Sequence, residues 1–190
     1  MQNIEPSFQW ENKYNASHDH KSPFYGRKYS ETIYEHDIYG YYIHPLWDEI
    51  ESETLNLKIL FTDYQLKFSI IELFGEWNDA LHNDIMHLKR NIIDELIAEN
   101  IQHFILITEN VYNFHASDDA YYEEWFEEVN GEDGWIAIIN LRDHVLEDFQ
   151  SANIDSYFVL GGKLNDTRWR TQLPEQLYEQ IESQVMKRLT

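Results

Sequence analysis

The sequence predicts an α/β domain in which a mostly parallel sheet is opened by an antiparallel hairpin. Two short runs rich in β-branched and aromatic residues, 68–74 and 104–108, are separated by an amphipathic segment at 79–99. A strand–helix–strand connection of this kind is right-handed in nearly all known proteins and makes the two strands parallel neighbours. A further apolar run at 135–139 shows no alternation, which is typical of a central strand covered on both faces.

Composition excludes several classes of protein. The chain has 190 residues, 43% of them apolar, which is enough to bury a core. Its 35 acidic residues against 14 basic ones give a formal charge of −21, which disfavours binding to nucleic acid or to an anionic membrane. The absence of cysteine excludes disulfides, zinc–thiolate sites and thiol catalysis. No cofactor is predicted. Because there is no export signal or membrane-spanning run, the cytoplasm is the expected location.

Residues 1–50 differ from the rest, and we treat them as an aromatic-rich N-terminal extension of an α/β domain at 51–190. Each aromatic ring has a large apolar area to bury. We therefore expect the extension to pack on the domain or on a second copy of the chain. Residues 1–22 also fit a flexible tail. Residues 38–43 predict one short strand that ends at Pro45.

The first elements of the domain are a strand hairpin and a long helix. Residues 55–61 and 68–74 are the two strands, and the short polar turn between them predicts antiparallel pairing. The helix is predicted as one unbroken element over 79–99, with Asn78 or Asp79 as its N-cap. One stripe of apolar side chains recurs at spacings of three and four and faces the sheet: Leu81, Ile85, Leu88, Ile92 and Leu96.

The remaining elements alternate between strand and helix. After the strand at 104–108 comes a loop over 109–116, and Ser117, Asp118 or Asp119 caps the next helix. The apolar stripe of that helix contains Tyr122, Trp125, Phe126 and Val129. The later elements are, in order, a central strand at 135–139, a helix at 142–152, a strand at 157–160 and a helix at 174–189.

The resulting order, β-β-α-β-α-β-α-β-α over residues 55–190, resembles that of STAS domains, the fold of anti-sigma-factor antagonists. In that family a regulatory serine lies between the third strand and the second helix, in a short Asp-Ser-Ser-Gly-like segment. The matching segment here is 115–119, His-Ala-Ser-Asp-Asp, so the resemblance carries over to Ser117 alone. It implies a non-enzymatic module that docks to a protein partner and is switched by phosphorylation of that serine. The segment departs from the family pattern in its longer preceding loop, its missing glycine and its two aspartates.

The same loop has an alternative interpretation as a ligand site. His115, Asp118 and Asp119 follow a strand of the predicted sheet, and open α/β sheets bind ligands beyond the carboxyl ends of their strands. An imidazole and two carboxylates are suited to a divalent cation or to acid–base chemistry. In this interpretation the chain uses the loop 109–119 either to bind a small molecule or a divalent cation, or to act as a hydrolase. No catalytic sequence motif accompanies these residues, so no catalytic residue and no metal ligand is assigned.

One candidate for partner binding is the acidic side of the second helix. Residues 91–141 contain twelve Asp and Glu residues and no Lys or Arg. This side is either a solvated surface or a docking surface for a basic partner. Its candidate residues are Glu123, Glu124, Glu127 and Glu128.

The other candidate is Trp169 between Arg168 and Arg170. An exposed tryptophan flanked by arginines is typical of an interface anchor. Alternatively, Trp169 is buried and the arginines pair with the acidic residues of the window 91–141, in the same chain or in a second copy. The sequence as a whole favours a non-enzymatic STAS-like module that binds a protein partner or itself.

Overall fold

A five-stranded sheet lies at the centre of the structure, a computed structural model that describes residues 4–30 and 32–189. The strands are β1 (Asp37–Ile38), β2 (Tyr41–Tyr42), β3 (Asp48–Glu49), β4 (Leu55–Asp63), β5 (Phe68–Asn78), β6 (His103–His115) and β7 (Trp135–Ile139). The α-helices are α1 (Asp79–His82), α2 (Asp84–Leu88), α3 (Asp94–Ala98), α4 (Ala120–Asn130), α5 (Asp143–Ser151) and α6 (Pro174–Leu189). The other helical turns are a π-helical turn at Lys89–Ile93, between α2 and α3, and 3-10 turns at Ile154–Tyr157, Gly162–Asp166 and Trp169–Thr171.

The sheet has the strand order β3-β4-β5-β6-β7. β4 pairs antiparallel with β3 and β5, whereas β6 pairs parallel with β5 and β7. The prediction of an α/β domain opened by an antiparallel hairpin is therefore confirmed. The predicted strand at 157–160 is reduced to one parallel bridge between Val159 and Ala137. It is short because a 3-10 turn ends at Tyr157 and Gly161, at a φ of 74°, turns the chain away.

Both faces of the sheet are covered, as the apolar sequence of β7 predicts. Successive residues of a strand point to opposite faces. Ile136 and Ile138 pack in the core beneath helices α2 to α5, while Ala137 and Ile139 pack in the core beneath α6. Within the part of the chain that the structure describes, no helix combines the length and the apolar character that crossing a bilayer requires.

Strands β5 and β6 are longer than predicted, which moves the end of the sheet outward. The predicted loop at 109–116 is wrong up to His115, because residues 109–115 continue β6 and pair with the end of β5. Two register shifts interrupt this pairing, and each places one extra residue of β6 opposite β5. Gly75 lies at the second shift with a φ of 115°. A Cβ at this position would lie 2.1 Å from the carbonyl oxygen of Thr54, so only glycine fits.

The helix predicted over 79–99 is broken, so the prediction of a single element is wrong. Asn83 has a left-handed backbone, with a φ of 53°, and separates α1 from α2. Buried carboxylates account for the break, because Asp79 and Asp84 each accept a backbone N–H from across it, at 2.8 and 2.7 Å. Leu81 lies in the detached turn α1 and is 78% exposed. The other members of the predicted apolar stripe are buried: Ile85, Leu88, Ile92 and Leu96.

The described part of the N-terminal extension packs on the sheet and helices of the same chain. Trp10 is buried edge-on against Trp169, with 5.9 Å between ring centroids, and its Nε1 donates to the carbonyl oxygen of Gln172. Trp47 stacks on Phe74 at 5.0 Å. Where the sequence predicts one short strand, β1 and β2 form a two-stranded hairpin.

Candidate docking surface at the end of strand β6

A polar segment connects β6 to α4 at the carboxyl end of the parallel strands, the edge at which open α/β sheets place their binding sites. The three residues before α4 are all exposed. Acidic side chains on the first two turns of α4 continue the same polar surface. We call this surface the acidic junction and define it by five residues: Ser117, Asp118, Asp119, Glu123 and Glu127.

The side chain that hydrogen-bonds the start of α4 is that of Asp118, not that of Ser117. Asp119 occupies the N-cap position, and the carboxylate of Asp118 accepts the backbone N–H of Ala120 at 3.2 Å. Ser117 precedes the cap and, in the described structure, makes no hydrogen bond to it. Capping therefore accounts for Asp118 but not for Ser117.

Three acids of the junction, which we call the outer acids, lie near Tyr157: Asp119, Glu123 and Glu127. The Tyr157 hydroxyl donates to the carboxylate of Asp119 at 2.6 Å. This hydrogen bond, with the nearby charges of Glu123 and Glu127, raises the pKa of Tyr157 to about 12. Among residues 4–30 and 32–189, neither Glu123 nor Glu127 has a basic ion-pair partner. Phe126 packs on the Tyr157 ring at 6.0 Å, so an aromatic pair lies among these acids.

The other two glutamates of α4, the inner pair, form ion pairs with basic residues of the preceding helical segment. Glu124 accepts two hydrogen bonds from the guanidinium of Arg90, at 2.6 and 2.7 Å, and Glu128 accepts one from the ammonium of Lys89 at 2.9 Å. The hydrogen bonds from Arg90 lower the pKa of Glu124. These contacts tie α4 to the preceding helices, so the four predicted glutamates divide into an inner pair and an outer pair.

The ammonium of Lys89 is buried among three carboxylates. Asp94, Glu124 and Glu128 lie close enough together to hold a metal ion, but the Lys89 ammonium bonds to all three. Burial opposes the charge of Lys89. The hydrogen bonds to Asp94 and Glu128 outweigh this effect, and the pKa of Lys89 is raised. A buried charge is retained when it is paired in this way, so the cluster is part of the fold.

Two buried aspartates lie after β5, and Asp79 links this end of the strand to α4 while Asp84 links it to the segment before β4. Asp79 accepts the hydroxyl of Tyr122 at 2.5 Å, and burial raises the pKa of Asp79 to about 6. Asp84 accepts the hydroxyls of Ser52 and Thr54, at 2.6 and 3.0 Å. The sequence pattern indicated Asp79 only as a helix N-cap, a position that Asn78 occupies, and did not single out Asp84. The only available signal was a pair of acids placed directly after a buried strand.

The structure does not bring together the three groups of the predicted ligand site. His115 lies with its Nε2 2.7 Å from the carboxylate of Glu76. Asp118 and Asp119 engage the start of α4 and Tyr157 instead. Nothing in the described chain favours a cation or hydrolase site built from these three residues.

The segment at 168–170 lies on the α6 side of the sheet. Trp169 is 1% exposed, and its Nε1 donates to the carboxylate of Glu109 at 3.4 Å. The guanidinium of Arg170 stacks over the Trp169 ring at 4.3 Å and pairs with Glu109 and with Glu72. Arg168 is exposed. Of the two alternatives for Trp169, the structure therefore has the buried one, and an exposed anchor at this residue is wrong.

No protein-family model and no curated protein matches the sequence. Similar solved structures include two of SpoIIAA, a Bacillus cell fate determinant and anti-sigma factor antagonist. The phosphorylated form has a TM-score of 0.40 and 14% identity, over 57% of this chain and 92% of that one. The unphosphorylated form has a TM-score of 0.44 and 13% identity, over 66% of this chain and 97% of that one. The order of strands and helices described above gives this chain a STAS-like α/β fold, as the sequence predicts.

Proposed function

We propose that this chain is a non-enzymatic, cytoplasmic protein-interaction module that binds a basic protein partner through the acidic junction. The division among the acids of α4 carries the proposal. The inner pair, Glu124 and Glu128, is neutralised within the fold by Arg90 and Lys89. The outer acids face solvent without a described basic partner, so their charge is available to a partner.

The aromatic pair within the junction supports the same function. Phe126 is 36% exposed and Tyr157 is half-buried beside it. Charged groups at an interface set the encounter rate and the choice of partner, while aromatic side chains near its centre supply much of the binding energy. An acidic surface with an aromatic pair is suited to a basic segment that also carries apolar side chains.

A second copy of the chain is a poor partner for this particular surface. The formal charge is −21, and two acidic junctions facing each other would repel. Like charges placed opposite each other at an interface suppress association. We therefore propose a different, basic protein at the junction, and any self-association would use another surface.

A charge-neutral double variant tests the junction. We expect Glu123→Gln with Glu127→Gln to weaken binding of a short synthetic peptide rich in Lys, Arg and Trp by about fivefold at low salt, because each exposed ion pair contributes about 0.5 kcal/mol. Titration calorimetry measures the affinity, and the difference shrinks at high salt.

The matched control carries the same change in charge on other surfaces. Glu11→Gln with Glu179→Gln alters two exposed residues, the second on α6 on the opposite side of the sheet. The control variant is expected to bind the peptide as the unmodified chain does. An equal loss of affinity in the two double variants would show that the peptide responds only to net charge, and would contradict the proposal.

Ser117 is proposed as the regulatory position of the junction. It is exposed and is not needed to cap α4. A phosphate there would add negative charge next to Asp118 and Asp119. We expect Ser117→Asp to bind the basic peptide more tightly than Ser117→Ala, as measured by the same titration. Equal affinity of these two variants would count against regulation at this serine.

A further inference from the structure

A pocket of about 230 Å³ opens between the β1–β2 hairpin and the extended ends of β5 and β6. The buried side chains of Ile38 and Phe74 form part of its wall. Tyr39 and Tyr41 contribute from the hairpin, and Tyr112 contributes from β6. The pocket is separate from the acidic junction and shares none of its residues.

Glu76 is the one charged group among the described residues that line this pocket. Its side chain is 11% exposed. The hydroxyl of Tyr39 donates to Oε2 at 2.5 Å, and Nε2 of His115 lies 2.7 Å from Oε1. Each carboxylate oxygen is thereby held in place, and a single oriented negative charge stands in a wall that is otherwise largely apolar.

The turn of the hairpin places Tyr39 against Glu76. Tyr39 and Gly40 are the two loop residues of the hairpin, with φ of 52° and 79°. A two-residue hairpin loop of this kind requires a left-handed backbone at both positions, so the turn itself accounts for the backbone of Tyr39. The hydrogen bond to Glu76 fixes the Tyr39 side chain at the pocket.

The aromatic walls are oriented and suited to a cation. Phe74 and Tyr112 meet at a right angle, with 6.1 Å between ring centroids. The ring of Tyr112 already accepts one cation, because the guanidinium of Arg142 lies 4.6 Å from its centroid. Tyr41 is 56% exposed at the hairpin, where a ligand can contact it without unfolding the core.

We propose that this pocket binds a small organic cation through a quaternary ammonium group. Aromatic rings with a nearby carboxylate are the usual recognition elements for such a group, which is large, weakly hydrated and unable to donate hydrogen bonds. A divalent metal ion fits poorly, because Ca²⁺ requires six to eight oxygen ligands and the lining offers one carboxylate. An anion would be repelled by Glu76.

Choline and its neutral carbon isostere, 3,3-dimethylbutan-1-ol, test the proposal directly. The two molecules have nearly the same shape, so a difference in affinity reports the charge. We expect choline to bind the full chain at least about tenfold more tightly than the isostere, as an ion pair and cation–π contacts predict. Equal affinities, or no saturable binding of choline, would overturn the proposal.

Substitutions of residues that line the pocket test whether choline binds there. Glu76→Gln is expected to lower the affinity for choline about tenfold and to leave the isostere unaffected. Tyr41→Leu is expected to lower the affinity for choline several-fold through loss of a ring face. Glu179→Gln makes the same change in charge at an exposed residue of α6, outside both the pocket and the acidic junction, and is expected to leave choline binding unaltered.

Chemical-shift mapping gives a second readout that needs no variant. On addition of choline, amide shifts are expected to change at Ile38, Tyr41, Glu76 and Tyr112. If Glu76→Gln fails to fold, this map still decides the question. Shift changes elsewhere, or unchanged choline affinity in a folded Glu76→Gln chain, would contradict the assignment.

Discussion

Replacement of Trp77 by alanine is expected to lower the free energy of unfolding by about 3–5 kcal/mol. Trp77 is fully buried and meets the rings of Phe114, Tyr122 and Phe149 at 6.2, 6.1 and 5.7 Å. Its Nε1 also donates to the buried carboxylate of Asp79 at 3.2 Å. The substitution therefore leaves a cavity and removes a donor from a buried acceptor. Equilibrium unfolding in urea measures the effect.

Leu81→Ala is the control for Trp77→Ala. The sequence pattern assigns Leu81 to the core, but its side chain is 78% exposed. We expect the alanine variant to unfold within about 0.5 kcal/mol of the unmodified chain, as surface substitutions do. A loss of several kcal/mol for Leu81→Ala, or a loss below about 1 kcal/mol for Trp77→Ala, would contradict the described packing.

Glu72→Gln is expected to stabilise the folded chain at pH 8 by as much as about 3 kcal/mol. Glu72 is fully buried in β5, and burial raises its pKa to about 7. The backbone N–H of Ser7 donates to one carboxylate oxygen at 2.8 Å, and the guanidinium of Arg170 lies 3.6 Å from the other. Both contacts lower the pKa, but they do not offset the effect of burial.

The raised pKa of Glu72 gives its contribution to stability a definite sign. The folded state holds the proton up to about pH 7, whereas the unfolded chain releases it near pH 4.5. Stability from this group is therefore fully present below about pH 4.5 and is lost as the pH rises through 7. Glutamine is neutral throughout, so Glu72→Gln removes this loss.

Unfolding in urea at a series of pH values checks the prediction for Glu72. Asp79, with a pKa of about 6, and His103, whose pKa burial lowers, also make stability depend on pH, so the difference in slope from pH 6 to 8 between the unmodified chain and Glu72→Gln isolates Glu72. The exposed residue Glu147 offers a matched control in Glu147→Gln, which is expected to retain the pH dependence. A slope between pH 6 and 8 that is the same with and without Glu72→Gln would contradict the account.

Much of the strand and helix order was predictable because most buried segments carry a recognisable apolar pattern, either a continuous run or a stripe at helical spacing. β7 is an unbroken apolar run with both faces covered. The stripe of α4 buries Tyr122, Trp125 and Val129 as its spacing predicts, but its fourth predicted member, Phe126, is 36% exposed, so that part of the prediction is wrong. The end of β6 was not predictable in the same way. Val111 and Phe114 are both buried although they are three residues apart, because Tyr112 is the extra residue of the register shift. An inserted residue destroys the alternation on which the prediction of a strand depends.

Prediction of the candidate site was limited as well, because the local sequence does not show which charged residues will be paired in the folded chain. The sequence pattern identified α4 as acidic, but it did not separate the inner glutamates from the outer ones. That separation depends on Arg90 and Lys89, which lie 34 and 39 positions before their partners Glu124 and Glu128 and meet them only in the folded chain. The buried carboxylates of Asp79 and Asp84 were missed because acids are mostly exposed, and nothing local indicates that hydroxyl groups from other segments will surround them.

The packing of Trp10 against Trp169 has a consequence for synthesis on the ribosome. The partners of Trp10 lie about 160 positions further along, so its site on the α6 side does not exist until residues 169–172 have emerged. Until then, the indole and the apolar surface that it covers remain open to chaperones and to aggregation. Contacts between residues so distant in sequence also form slowly, which makes the docking of this N-terminal segment a late event in folding.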